Sequence, residues 1–216
     1  MQRRLLTKGN LGGVDERFTI IVKSDNTGTS ASNQMTIPTT GGGFLYDVQT
    51  SDGQNLTGNT GNLTITFPTA GTYTIFITGS FPRMYFNNGG DKLKILDTQN
   101  LGIYGTGSTN QELAFYGCDN MTVTAVDSGH FGNVSNFFAT WFLAGVVSFP
   151  AIDVTSATSF LGAWRGCPLS DFPLNYFDNC LCINYALAFL ETNLSQASID
   201  GILVSIDVAG QSNVVF

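Results

Sequence analysis

Two patterns of apolar and polar positions divide the chain. Between residues 18 and 79 apolar and polar residues alternate or run β-branched, the signature of strands with one face in a core. "RFTIIVKS", "NQMTIPTT" and "GGGFLYDVQTSDGQ" each predict a strand, and the last runs into Asp52-Gly53, a tight-turn dipeptide. "GNLTITFPTAGTYTIFITG" predicts two more, bent at Pro68, Ala70 and Gly71. In the second of these, Thr72, Thr74 and Thr78 share one face, and Tyr73, Ile75 and Ile77 the other. Strands this short, with turn signals at this spacing, predict a β-sandwich over residues 18–80.

From residue 81 onward the alternation gives way to short apolar beats. "AFYGC", "TWFLA", "AWRGC" and "AFLET" place an aromatic at their second position: Phe115, Trp141, Trp164 and Phe189, spaced 26, 23 and 25 apart. That period lies in the range of leucine-rich repeats. An apolar pair follows each beat: Met121 and Val123, Val147 and Phe149, Leu169 and Phe172, Leu194 and Ile199. In the middle unit Val147, Phe149 and Ile152 are expected to point inward from a short strand. "TSATSFLGAW" is expected to return as a helix or one helical turn with Phe160, Ala163 and Trp164 on its apolar side. "DKLKILDTQNLGIYG" starts the array with Leu93, Ile95 and Leu96. At the far end Ser195 caps a helix from about Gln196 to Asp207, with Ile199, Ile202, Leu203 and Ile206 on one face, covering the open end of the stack.

Composition sharpens this into mainly β structure with short helices. Of 216 residues 43% are hydrophobic and 12% aromatic, enough for a packed core, while only 12% are charged. The net charge is −7, unevenly spread: Arg3, Arg4, Lys8 and Arg17 face only Asp15 and Glu16 in residues 1–17, so this arm is +2 and the remainder −9. An acidic body repels phosphate backbones and argues against nucleic-acid binding. The arm reads either as a flexible solvated terminus or as an assembly anchor on an acidic neighbour. No stretch is apolar and long enough to span a bilayer, and no apolar run follows the basic start as in a secretory signal. The chain is therefore expected to be either a mature form or made in a host cytoplasm and exposed by assembly on a virion surface, the route of a virion protein; the alternative location is an extracellular surface.

Candidate chemistry is sparse. His130, the single histidine, sits in "SGHFGN" without a G-x-S-x-G elbow, so no nucleophile triad is expected. Asp97, Asp127 and Asp153 recur at matching places, which reads as a repeated turn or cap accepting backbone N–H groups. Asp25, Asp47 and Asp52 are turn residues before they are calcium ligands, which would need six to eight oxygens. Gly41 to Gly43 precede a strand rather than a helix, unlike a phosphate loop. Cys118, Cys167, Cys180 and Cys182 lack zinc spacing and read as buried thiols. Trp141 and Trp164 lie on the beat and are expected in the core. Phe81, Tyr85 and Phe86, in "SFPRMYFNNGG", either join the two halves or form a partner-binding patch.

The stretch "YDVQTSDGQ…LTITFPTAGTYTIFITG" resembles a polycystic-kidney-disease-type (PKD) domain, an immunoglobulin-like sandwich. Phe67, Gly71 and Tyr73 match its corner, whereas at Thr50, Ser51, Asp52 and Gly53 only the Asp-Gly half of its turn survives. "FPAID…SFLGAWRGC…LSDFP" resembles the BspA-like leucine-rich-repeat family of bacterial surfaces and of phage and environmental sequences. The chain departs from that pattern at Ala144 and Thr192, where cysteine is expected. The resemblances imply a PKD-type sandwich followed by a short leucine-rich-repeat solenoid over 81–216. They imply a non-enzymatic virion structural protein without cofactor or metal, a capsid-decoration or fibre-type component of a bacteriophage. Its partners would be other capsid or tail proteins and further copies of itself. The alternative is a surface adhesin that recognises a host glycan or protein.

Overall fold

A computed structural model describes residues 15–216. Arg3, Arg4 and Lys8 lie outside the described residues.

Six strands come first: β1 (Phe18–Lys23), β2 (Gln34–Ile37), β3 (Leu45–Thr50), β4 (Asn55–Asn59), β5 (Leu63–Thr66) and β6 (Thr72–Ser80); all but β4 lie where the pattern places them. Asp52-Gly53 turns β3 into β4, with Gly53 N–H donating to Thr50 O. In β6, Ile75 and Ile77 are buried while Thr72 and Thr78 are exposed, so the expected faces hold. β2 and β5 pair as a separate two-stranded sheet that buries Met35, Ile37 and Ile65.

The larger sheet runs β4-β3-β6-β1-β7-β8, with β7 at Ile95–Asn100 and β8 at Thr122–Val123. β1 pairs antiparallel with both β6 and β7, and β7 pairs parallel with β8. The boundary expected at residue 80 therefore falls inside one sheet. One contiguous core also runs across it, from Phe18 to Ile206.

Beyond β8 the chain climbs in tiers. Parallel bridges link Asn110 to Asn136, Asn136 to Ser159, Ser159 to Asn184 and Asn184 to Val215; the first three steps repeat the 26, 23 and 25 spacing of the aromatic beat. Each tier donates upward through alternate N–H groups. Those of Phe137, Ala139, Trp141 and Leu143 reach the carbonyls of Ser159, Leu161, Ala163 and Arg165, and those of Phe160, Gly162, Trp164 and Gly166 reach Asn184, Ala186, Ala188 and Leu190. Side chains stack in register. Trp141 lies on Trp164 at 5.4 Å and Trp164 on Phe189 at 5.2 Å, while Phe137, Phe160 and Tyr185 form a second column.

Three details of the expected array differ. "TSATSFLGAW" folds as turns rather than a helix, although Phe160, Ala163 and Trp164 are buried as expected. Two left-handed residues per tier are the reason, since a helix cannot pass through them: Gly162 and Gly166 here, Ala139 and Leu143 in the tier below. Val147 is exposed and Val146 fills the core beside Phe149 and Ile152, because this segment is a bend, not a strand with period two. In the opening unit Ile95 is buried, but its buried neighbour is Lys94, with Leu93 and Leu96 only half-buried.

Lys94 reaches back to the loop that leads into β2, in the two-stranded sheet. Its Nζ donates to the Ser30, Ala31 and Gln34 carbonyls and to Ser30 Oγ, beside the buried Asp91 at 3.9 Å. Asp91 in turn accepts from the N–H groups of Thr29, Ser30 and Thr36.

The single helix among the described residues, α1 (Gln196–Val208), starts where expected, with Ser195 Oγ accepting from Ser198 N–H. Its buried face is rotated from the expected one: Ser198, Ile202, Ser205 and Ile206 face inward, and Ile199 and Leu203 are exposed. The two serines turn it, since Ser198 Oγ donates to Asp171 and Ser205 Oγ to Asp178. Hydrogen bonds outweigh the apolar stripe in setting the rotation.

Candidate functional site

The recurring carboxylates are tied to backbone. Asp97 accepts from Thr124 N–H and both neighbouring threonine hydroxyls, Asp127 from Leu101 and Gly102 N–H, and Asp153 from Thr155 N–H. They pin turns to the sheet edge, as their recurrence suggests. Asp52 accepts from Thr50 Oγ1 and Gln54, Asp47 from Gly58 N–H, and Asp25 pairs with Lys23, so each is fastened within its own hairpin or turn. Among the described residues no three His, Cys, Asp or Glu side chains gather as a metal site. His130 is exposed, and its backbone N–H donates to Tyr104 O.

All four cysteines are buried free thiols. Burial pushes Cys118 well above its ordinary 9.0, and Cys167 up to about 12. Cys167 sits against the tryptophan column, its Sγ 2.9 Å from Trp141 O. The Cys182 thiol beside Cys180 draws Cys180 below its ordinary value and is itself pushed up.

The aromatic patch expected at Phe81, Tyr85 and Phe86 is not a surface. Phe81 is fully buried between Phe18 and Tyr46, Phe86 packs near Phe115, and only Tyr85 stays half-buried, under Arg83. Their place at the joint of sheet and tiers draws them inward. The joint also holds a buried polar chain: Tyr104 Oη donates to Gln111 Oε1, and Gln111 Nε2 to Pro82 O. Arg17, of the expected anchor, pairs with Asp15 at 2.7 Å and lies over Phe76, so it belongs to the folded edge.

Two surfaces remain that sequence reasoning missed. The first is a column outside the core, one residue past the aromatic beat. Tyr116 stacks on Phe142 at 4.7 Å, and the Arg165 guanidinium covers Phe142 at 5.3 Å, all three half-buried. The signal was present as the residue after each beat.

The second is the open end of the stack. By the ladder's rule Tyr185, Leu187, Phe189 and Glu191 donate to a further tier. Tyr185 N–H finds Val215 O, and Phe216 stacks on the Tyr185 ring. The N–H groups of Leu187, Phe189 and Glu191 find no acceptor among the described residues. Around them Leu187, Leu190, Leu203, Val215 and Phe216 are exposed. A groove of about 320 Å³ runs between this last tier and α1, floored by Phe189, Leu194 and Ile202. The helix thus flanks the end and leaves it open, contrary to the cover expected of it.

No protein-family model, curated protein or solved structure matches this chain.

Proposed function

We propose that this chain is a non-enzymatic structural protein of a virus particle, a capsid-decoration or fibre-type component of a bacteriophage, present in many copies. In this reading residues 18–80 are a PKD-type, immunoglobulin-like sandwich, and residues 81–216 a short leucine-rich-repeat solenoid. Two details support the sandwich half. Phe67 and Tyr73 stack at 3.9 Å across the expected corner, and Tyr73 Oη donates back to Thr69 O, as in a tyrosine corner. The parallel tier ladder and its aromatic columns support the solenoid half.

The observation that carries the functional reading is the face of the last described tier: backbone donors without an acceptor among the described residues, ringed by exposed apolar side chains, which monomeric proteins seldom leave bare. The basic arm supplies the anchor to the particle. Its test is a chain lacking residues 1–14, supplied during infection. The truncated protein keeps every contact described above and should fold, yet be missing from purified particles. Normal incorporation would refute the anchor.

The outer column favours a second reading, an adhesin for a host glycan. Phe142, held between Tyr116 and Arg165, positions a half-exposed column whose Tyr116 hydroxyl and Arg165 guanidinium can bond a sugar. Binding on a glycan array that disappears in Phe142→Ala supports it, and no binding to any glycan rejects it.

A further inference from the structure

The open end differs from an ordinary apolar patch in the sense of the backbone groups along its beat segment. There each tier donates toward the C-terminal end, although N–H groups elsewhere in the tiers, such as those of Ser135, Thr158 and Asn193, donate the other way. On the last tier that segment presents the N–H groups of Leu187, Phe189 and Glu191. Two copies meeting end to end by the same face would set donor against donor. The opposite end of the stack offers no matching bare edge. There β7 pairs with β1 and the array continues into the larger sheet. What fits is an extended segment with free carbonyls, apolar enough for the groove.

Charge narrows the choice. From Gly166 to Phe216 there is no Lys, Arg or His, but there are five acids; Glu191 pairs with Arg165 at 3.5 Å, and Asp171 and Asp178 take the α1 serines, which leaves Asp200 and Asp207. Asp200 and Asp207 lie exposed on α1, the helix that supplies Ile199, Ile202 and Leu203 to the groove. The one stretch of this chain with the opposite composition is residues 1–14, "MQRRLLTKGNLGGV", with three cations, no acid and Leu5, Leu6 and Leu11.

We infer that the open end receives residues 1–14 of a neighbouring copy, which pair their carbonyls with Leu187, Phe189 and Glu191 and set Leu5 and Leu6 into the groove. The neighbour is favoured over the same chain by reach. Asp15 and Glu16 are fixed at the first tiers, where Asn100 Nδ2 and Ile103 N–H hold their carbonyls. From β1 the ladder steps through β7, β8 and three further tiers before Leu187, about 24 Å at about 4.8 Å per step. A chain folding back on itself would use about half of the arm's fourteen residues as a bridge. A neighbour's arm arrives with its whole length. Joining one end to the other is heterologous, so copies add head to tail.

The inference rests on the arm's anchoring role but not on the virion assignment, and is tested on the purified full chain. Sedimentation velocity should show association that grows with concentration and weakens with salt. Arg3→Glu with Arg4→Glu and Lys8→Glu should leave a monomer. Leu187→Lys with Leu203→Lys should do the same, both positions being exposed and so tolerant of the change. Circular dichroism checks that both variants fold. Mixed together, the two variants should form a dimer and nothing larger, since each retains the half the other lacks. A wild-type chain that is monomeric at every concentration overturns the inference, whether its arm docks in its own groove or nowhere. So does association that survives both sets of substitutions. Absence of the wild-type chain from particles, with self-association of the purified protein intact, counts against the virion reading alone.

Discussion

Gly162 and Leu187 occupy the same left-handed turn in adjacent tiers, with φ of +62° and +58°. A Cβ at Gly162 would meet no atom within 4 Å, so Gly162→Ala isolates backbone strain from crowding. It should cost about 1–2 kcal/mol, read as a lower thermal midpoint. The Cβ of an alanine at Gly166 would instead meet the tip of the exposed Leu143 side chain, which can swing away, so that variant should lose about as much, from the same backbone strain. Trp164 was legible as core from its place on the beat, and it is fully buried between Trp141 and Phe189. Trp164→Ala should cost about 3–5 kcal/mol in chemical denaturation. Its indole N–H has no partner, so Trp164→Phe should cost much less, the lost volume being offset by removal of an unsatisfied donor. Val147 was not legible, because a bend rather than a strand decides which of two adjacent valines points inward.

Among the elements, strands β1 to β3, β5 and β6 and the start of α1 could be read from pattern alone, because local periodicity and a cap determine them. The rotation of α1 could not, since it depends on Asp171 and Asp178, more than twenty residues away in sequence. The Lys94–Asp91 clamp was hidden for the same reason: a lysine in a strand reads as solvent-facing until its partners are in place. Lys94→Met should cost about 3–5 kcal/mol, because it leaves the buried Asp91 charge unpaired. Burial raises the Asp91 carboxyl, but hydrogen bonds from Ser30 and Thr36 and the Lys94 charge override it and hold it below the ordinary 3.8. The ion pair therefore stabilises the fold above pH 3.8 and loses that effect as pH falls below it.

Across the whole molecule the alkaline limit is set by the core. Burial raises Tyr46 and Cys167 to about 12, from ordinary values of 10.0 and 9.0. The unfolded chain ionises these groups first. Their contribution is whole below pH 9 and is lost as pH rises toward 12, so the thermal midpoint should fall steadily over that window. The period of the tiers was visible in the spacing of Phe115, Trp141, Trp164 and Phe189. Two other features were not. The sheet's passage across residue 80 and the bare N–H row at the end of the beat segment arise from pairings that no local pattern carries. In the proposed reading that row makes the molecule a unit for head-to-tail assembly. The most direct measurement is an electron cryo-microscopy reconstruction of phage particles purified from the cells that express this chain. The account predicts density for many copies on the capsid or tail, each with its N-terminal end against a neighbour. Particles that lack the chain altogether, with the protein left free in the lysate, would contradict it.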